Sequence, residues 1–419
     1  MGIERNWAGN LAYRASTMVH PSSIDEVRAA LAAGGPVRTL GTRHCFNDIA
    51  DTAGAHIVLD RMPAVIEVSE QRDAVRVSSA LRYGDIAPVL EAHGLALANL
   101  ASLPHISVAG AVSTGTHGSG DAIGTLASAV RGLTLLTAAG EIRQLRRGDA
   151  DFSGAVVGLG ALGVVLDVTL DVEPTYAVAQ HVYDHPGWDA ILADLDAVTG
   201  AGTSVSIFTT WQRTDAADQL WIKQRQPEDR AAERAALATA LGAVPADGKR
   251  HPILGVDPEA CTEQGGAPGE WFQRLPHFRL EFTPSAGAEI QSEYLVPRSD
   301  AVAAIEAVRA LADRIAPVLL VNEIRTMRAD DLWLSMAHER DAVGLHFTWK
   351  PDEQAVRALL PDLEAALPAS ARPHWGKVFT LDGAEVRSRY PRWDDFAALR
   401  AQYDPERRFV NAYLERLGL

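Results

Sequence analysis

Only two cysteines occur in the 419 residues, Cys45 and Cys261. They lie far apart and show no CxxC spacing, which excludes a disulfide framework and a cysteine metal knuckle. No run of about 18 apolar residues is present, which excludes a membrane-spanning helix. The stretch from Met1 to Trp7 has no apolar signal region, so a cytoplasmic protein is the expectation. Positive charge is also short: 39 Lys and Arg face 54 Asp and Glu, a net charge of −15. That argues against nucleic acid or an anionic membrane surface as a partner. An anionic cofactor must then be held by local dipoles and individual Arg or Lys side chains. Internal repeats are absent. His44, His105 and His117 follow no HExxH-like spacing and sit among glycines, so metal hydrolysis finds no ligand set and no metal is expected.

What is present is apolar mass: 47% of the residues are hydrophobic, enough for large cores over two domains. Pro21-Ser22-Ser23 before Ile24–Leu31 predicts a capped amphipathic helix ended by Gly34-Gly35-Pro36. Val37 to Leu40 reads as a short strand running into Gly41 and a polar turn, Thr42-Arg43-His44-Cys45-Phe46-Asn47-Asp48. Successive N–H groups in such a turn form an anion-binding nest, although many ordinary turns contain Gly and His. Short strands at 57–59, 64–68 and 74–77 and a helix from Arg82 to Gly94 follow, giving the βα alternation of an α/β or α+β protein.

The stretch 101–120 is almost free of large side chains, with Gly at 110, 115, 118 and 120. It reads either as a flexible linker or as the lining of a flat, extended ligand; Pro104, Val108 and Val112 favour the lining. A hairpin around Ala139-Gly140 and an alternating strand to Val172 close the first region. Beyond about 176, strands are expected at 205–211, 220–223, 278–282, 290–295, 318–326 and 345–349. Helices are expected at 228–241, 300–315 and 353–367, the last broken or kinked at Pro361. This describes a mainly antiparallel sheet covered by helices. Three strands carry polar residues two apart, hence on one face: Gln291 and Glu293, Glu323 and Arg325, His346 and Thr348. A sheet wet on one side gives the same pattern, and so does the wall of a polyol or sugar site. Lys377 is expected in an apolar strand beside Trp375-Gly376, either snorkelling to solvent or held in a pocket.

The stretches Leu40-Gly41-Thr42-Arg43-His44-Cys45-Phe46-Asn47, Ala101–Gly110, Thr114-Gly115-Thr116-His117-Gly118-Ser119-Gly120, Gln291-Ser292-Glu293-Tyr294, Glu323-Ile324-Arg325-Thr326, His346-Phe347-Thr348-Trp349 and Arg372–Lys377 together resemble the flavin-dependent oxidases of the vanillyl-alcohol oxidase type, most closely the alditol (xylitol, sorbitol) oxidases. The resemblance covers essentially the whole chain. It implies a two-domain α+β flavoprotein: an FAD-binding domain (1–175), a substrate domain on the antiparallel sheet (176–374) and a C-terminal segment (375–419) returning to the first domain. It implies FAD joined covalently through His44 to the 8α-methyl of the isoalloxazine. Leu40, Gly41, Thr42, Arg43, Cys45, Thr114, Gly115, Thr116 and His117 would lie along the cofactor, Ser107 and Gly110 beside the flavin, and Gly163 and Val165 on the adenine side. Ser102 would sit near the reactive flavin edge. Gln291, Glu323, Arg325, His346, Thr348 and Lys377 would bind the substrate, with Lys377, Arg325, Glu323 and His346 as the catalytic set. The implied reaction is oxidation of a polyol's terminal hydroxyl, with O2 as partner, by a monomer. Alternatives are an aldonolactone oxidase or dehydrogenase on the same fold, or an inactive flavoprotein. One departure stands out: the family usually carries serine after the flavin-linked histidine, and here it is Cys45.

Overall fold

The computed structural model describes residues 4–282 and 288–419 of the chain. The first helix forms over Ile24–Ala32, where Ser23 Oγ accepts from the Glu26 N–H and Val27 and Leu31 are buried. Thr17–Val19, Val37–Thr39 and Ala55–Ile57 make a small parallel sheet beside it. A five-stranded antiparallel sheet follows, built from Ile66–Val68, Ala74–Ser78, Val164–Asp171, Val130–Leu136 and Ile142–Arg146 in that spatial order. The expected hairpin around Ala139-Gly140 joins the last two. Within the Gly-rich stretch, Val108–Ser113 coils into a short helix.

The later region is a nine-stranded antiparallel sheet. Its central order runs Ala177–Asp184, Gln219–Arg225, Ser204–Thr209, Leu319–Met327, Ala342–Trp349 and Ile290–Pro297. One face is apolar. Tyr294, Ile324, Leu345 and Phe347 pack against Ile305 and Val308 of the Ala301–Ala310 helix and Leu360 and Leu363 of the Glu353–Ala366 helix. The antiparallel sheet under helices was legible from period-two and period-3.6 patterns. No helix among the described residues is long and apolar enough to cross a membrane.

Three expectations fail locally, and one strand was not foreseen. Residues 278–282 form no strand: the Phe278 N–H turns to the Ser102 carbonyl and the Arg279 N–H to that of Ala260, so the segment wraps under the Gly-rich stretch. The strand expected around Lys377 is only Arg372–Pro373; the chain then turns, with the Lys377 N–H on the His374 carbonyl at 3.0 Å. The helix continues through exposed Pro361, because Val356, Leu359, Leu360 and Leu363 bury a stripe spanning it. The Ala177–Asp184 strand was missed at the point where the composition changes.

The chain's last residues fold onto its opening turn. Buried Arg38 donates to the carbonyls of Phe409, Ile49, Leu159 and Gly160. Asn411 Nδ2 donates to the carbonyls of Asp48, Ile49 and Asp51, while its Oδ1 caps the Ala412–Arg416 helix. Asn411→Ala removes all four bonds and leaves the Asp51 carbonyl without a partner, while Ile49 and Asp48 keep Arg38 and the Asp51 N–H, so it should lower unfolding stability by about 1–3 kcal/mol. Urea denaturation checks this; a variant as stable as the parent would mean that the tail is not fastened there.

Candidate active site

A cavity of about 400 Å³ lies between the 41–46 turn and the polar face of the large sheet. Every predicted cofactor and substrate residue lines it except Gly115. Gly115 points the other way: a Cβ there would meet Met336 Cε at 3.2 Å. It serves the turn through its positive φ rather than by facing the cavity.

The two glycine-bearing stretches meet at Ser107. A Cβ on Gly41 would fall 2.6 Å from Ser107 Oγ, so any other residue there would force that hydroxyl to turn away. The Ser107 N–H donates to Thr42 Oγ1 at 3.1 Å. Arg43 adopts a left-handed backbone, φ 65°, a sparsely populated state for a residue with a side chain. His44 follows, its ring stacked on Trp7 at 5.2 Å. Both of its ring nitrogens are buried without a partner. Burial pushes its pKa down to about 4, so the imidazole is neutral near pH 7. An unpartnered neutral nitrogen facing a cavity walled by small residues fits a flat cofactor bonded to, or lying against, His44. Burial raises the neighbouring Cys45 thiol to about 11, which keeps it protonated.

The opposite wall is a registered array. Across three adjacent strands, Glu323, His346 and Glu293 stand opposite one another; Thr348 pairs with Gln291 one step along, and Arg325 and Leu295 flank Gly344 on the other side. The polar face is therefore not wet: Glu293 is 1% exposed and Glu323 and Arg325 are 5% exposed. The turn after Pro373 brings Lys377 over this array. Its Nζ lies 2.6 Å from Glu293 Oε2 and 2.5 Å from His346 Nδ1, so the lysine is held in the pocket and does not snorkel. Arg325 donates to Glu293 Oε1 at 3.0 Å and to Ser102 Oγ at 3.3 Å. Gly344 makes room, since a Cβ there would sit 3.2 Å from Glu293 Oε1.

Two carboxylates, Glu293 and Glu323, thus face two cations, Arg325 and Lys377. Burial opposes ionisation of Glu293, but Lys377, His117 and Arg325 outweigh it and hold the carboxyl well below its ordinary value. Glu323 is likewise depressed against its burial, chiefly by Arg325 and His277. Burial, reinforced by Lys377, pushes His346 down to about 4. With Nδ1 accepting from Lys377, His346 carries its proton on Nε2, 3.1 Å from Thr348 Oγ1. Burial lowers Lys377, partly offset by Glu293.

Two parts of this array escaped the sequence reading. Glu293 was seen as half of a strand pair, but its contacts with Lys377, Arg325 and, at 3.1 Å, His117 Nε2 come from three distant stretches. His277 Nε2 lies 2.8 Å from Glu323 Oε1 and issues from the segment misread as leading into a strand. No local pattern signals either role.

Known proteins resemble this chain in sequence and in fold. Residues 15–146 match the family described as FAD binding domain, and 288–417 the family described as D-arabinono-1,4-lactone oxidase. The chain is 46% identical over 416 residues to an alditol oxidase from a Streptomyces species, covering 98% of each. It is 28% identical to an L-gulono-1,4-lactone dehydrogenase from Mycobacterium tuberculosis, covering 99% of each. Its fold superposes on cholesterol oxidase from B. sterolicum with a TM-score of 0.76 at 14% identity, over 99% of this chain and 96% of that one.

The buried histidines make the fold acid-sensitive. His277 and His346 titrate near 4 in the folded protein against 6.5 when exposed. At these two groups the unfolded chain binds more protons between those values, so the stability they contribute is complete above about 6.5 and falls as the pH drops toward 4; Asp330, raised to about 6 by burial, opposes them in part. Glu293 and Glu323, being depressed, add losses of the same sign below about 4.5. The urea midpoint should therefore decline steadily from pH 7 to pH 4.5; a flat profile would show that these groups are not buried as described.

Proposed function

Because the chain belongs to the alditol oxidase family of FAD-dependent oxidoreductases, we propose that it oxidises the terminal C1 hydroxyl of a polyol such as xylitol or sorbitol to the aldose, with O2 reduced to hydrogen peroxide. The observation that carries this reading is the charge-matched, buried array of Glu293, Glu323, Arg325 and Lys377 on the cavity wall facing His44. A polyol is neutral and offers only hydroxyls. Its site needs paired donors and acceptors with no surplus charge, and a buried group left unpaired by the wrong substrate costs about 1–3 kcal/mol.

In this reading 1–175 with 375–419 form the cofactor part and 176–374 the substrate part of a monomeric, cytoplasmic enzyme. Gly41, Thr42, Ser107, Gly110, Thr114 and Thr116 would line FAD, Gly163 and Val165 its adenine end, and His44 would carry it covalently. When bound, FAD supplies the hydride acceptor and passes the electrons to oxygen. The neutral His44 imidazole is the nucleophilic form such a linkage requires. Gln291, Glu323, His346 and Thr348 position the inner hydroxyls of the substrate. Lys377 Nζ and Arg325 donate to O1 and stabilise the negative charge that grows there as C1 gives up hydride. The O1 proton has a route through Nζ to the unprotonated Nδ1 of His346, 2.5 Å away.

Three outcomes follow. A peroxide assay across polyols and aldonolactones should give its highest kcat/KM on an alditol; faster turnover of L-gulono-1,4-lactone than of any polyol would replace this reading with the lactone one. Lys377→Ala should lower kcat by roughly 10²–10³ with the flavin absorbance unchanged, as for loss of one transition-state donor; near-normal turnover sinks the assignment. Acid-precipitated protein should stay yellow, and release of the flavin into the supernatant excludes the His44 bond.

A further inference from the structure

Behind Glu323 lies a buried group that no step above uses. Lys223, in the Gln219–Arg225 strand, is 1% exposed and has no carboxylate partner. Its Nζ donates to the carbonyls of Leu275 and Pro276, the latter at 3.2 Å, and approaches His277 Nδ1 at 3.1 Å. His277 Nε2 then lies 2.8 Å from Glu323 Oε1. The His277 ring cannot readily turn away, since Phe208, Trp221 and Phe278 stand edge-on around it with centroids at 5.5, 5.3 and 6.4 Å. The charged groups facing it are Lys223 from one strand and Glu323 and Arg325 from another. The Cys261 thiol is the further titratable group beside Lys223.

We propose that Lys223 is a positioning residue for Glu323, acting through His277: its ammonium donates to Nδ1 and fixes the ring as the neutral Nε2–H tautomer, which gives Glu323 Oε1 one uncharged hydrogen bond. The carboxylate is thereby oriented but not neutralised by an adjacent imidazolium. Its second oxygen, 3.5 Å from Arg325 Nε, keeps full acceptor strength for a substrate hydroxyl. Burial holds His277 neutral and the Lys223 charge adds to it; removing Lys223 lifts that second influence while Glu323 still favours the charged ring. The ring then takes up a second proton on Nδ1, and Glu323 becomes half of a tight ion pair and a weaker acceptor.

The inference rests on the alditol reading. Burial lowers Lys223 to about 7, so it is charged below that pH; the test is steady-state kinetics on xylitol from about pH 5 to 6.5 with flavin-loaded parent, Lys223→Met, His277→Gln and the double variant. Lys223→Met should raise KM about tenfold, as for loss of a hydrogen bond to a charged group, with kcat changed far less. It should also add to kcat/KM a protonation step absent from the parent. His277→Gln keeps an amide N–H near the Nε2 position and cannot titrate. In that background Lys223→Met should change KM little and add no step. An unchanged KM in Lys223→Met, or the same loss in both backgrounds, overturns the proposal and leaves Lys223 a packing residue. If Lys223→Met does not accumulate with flavin, His277→Phe against His277→Gln decides. Phe should raise KM about tenfold over Gln, and equal values overturn the proposal. A parent inactive on every alditol refutes the alditol reading itself, an outcome distinct from these.

Discussion

The buried carboxylate of Glu293 is the constraint on which the rest of the site depends. Alone, an ionised carboxylate at 1% exposure is untenable. It persists because Lys377, Arg325 and His117 converge on it from a C-terminal turn, a central strand and the Gly-rich stretch. The same convergence fixes those groups: Lys377 leans on Glu293 and so reaches His346, and Arg325 leans on it and so reaches Ser102. Breaking one partner of such a cluster leaves an uncompensated buried charge, which costs several kcal/mol. Stability and site geometry are therefore the same interaction.

The large sheet makes this possible by dividing its faces. Residues of one parity, Ile324, Leu345, Phe347 and Tyr294, enter an apolar core under two helices. Residues of the other parity, Glu323, His346 and Glu293, form one cross-strand row toward the cavity. A slip of one residue would exchange the faces and put the charges into the core. The core thus enforces the register, and the register brings acids and bases within hydrogen-bonding reach. The opposite wall is built on the reverse principle: Gly41 and Gly110 carry no side chain where each packs on Ser107, and His44 is left with free nitrogens facing the cavity.

Much of this was legible before the structure. Period-two polar pairs identified the strands and the shared face, because alternation is a local property of the chain. The glycine-rich stretches were read as a ligand lining for the same reason, and residues of both line the cavity. What escaped was non-local. Lys377 was placed in an apolar strand beside Trp375-Gly376, whereas its position comes from the His374 turn. Residues 278–282 looked like a strand, yet their N–H groups are taken by Ser102 and Ala260. Pro361 argued for a break that a buried stripe on both sides of it overrides. Lys223 read as the end of an apolar strand; its link to Glu323 exists only through His277, which joins segments with no common pattern.

The central claim is that this charge-matched array holds a polyol with its terminal hydroxyl between Lys377 and Arg325, on the side facing His44. A crystal structure of the flavin-loaded protein with xylitol, prepared without oxygen, tests it most directly. The expected result has O1 within hydrogen-bonding distance of both Lys377 Nζ and the Arg325 guanidinium, with the inner hydroxyls on Glu323, His346 and Thr348. Xylitol bound with both terminal carbons away from Lys377, or lodged outside this cavity, would contradict it.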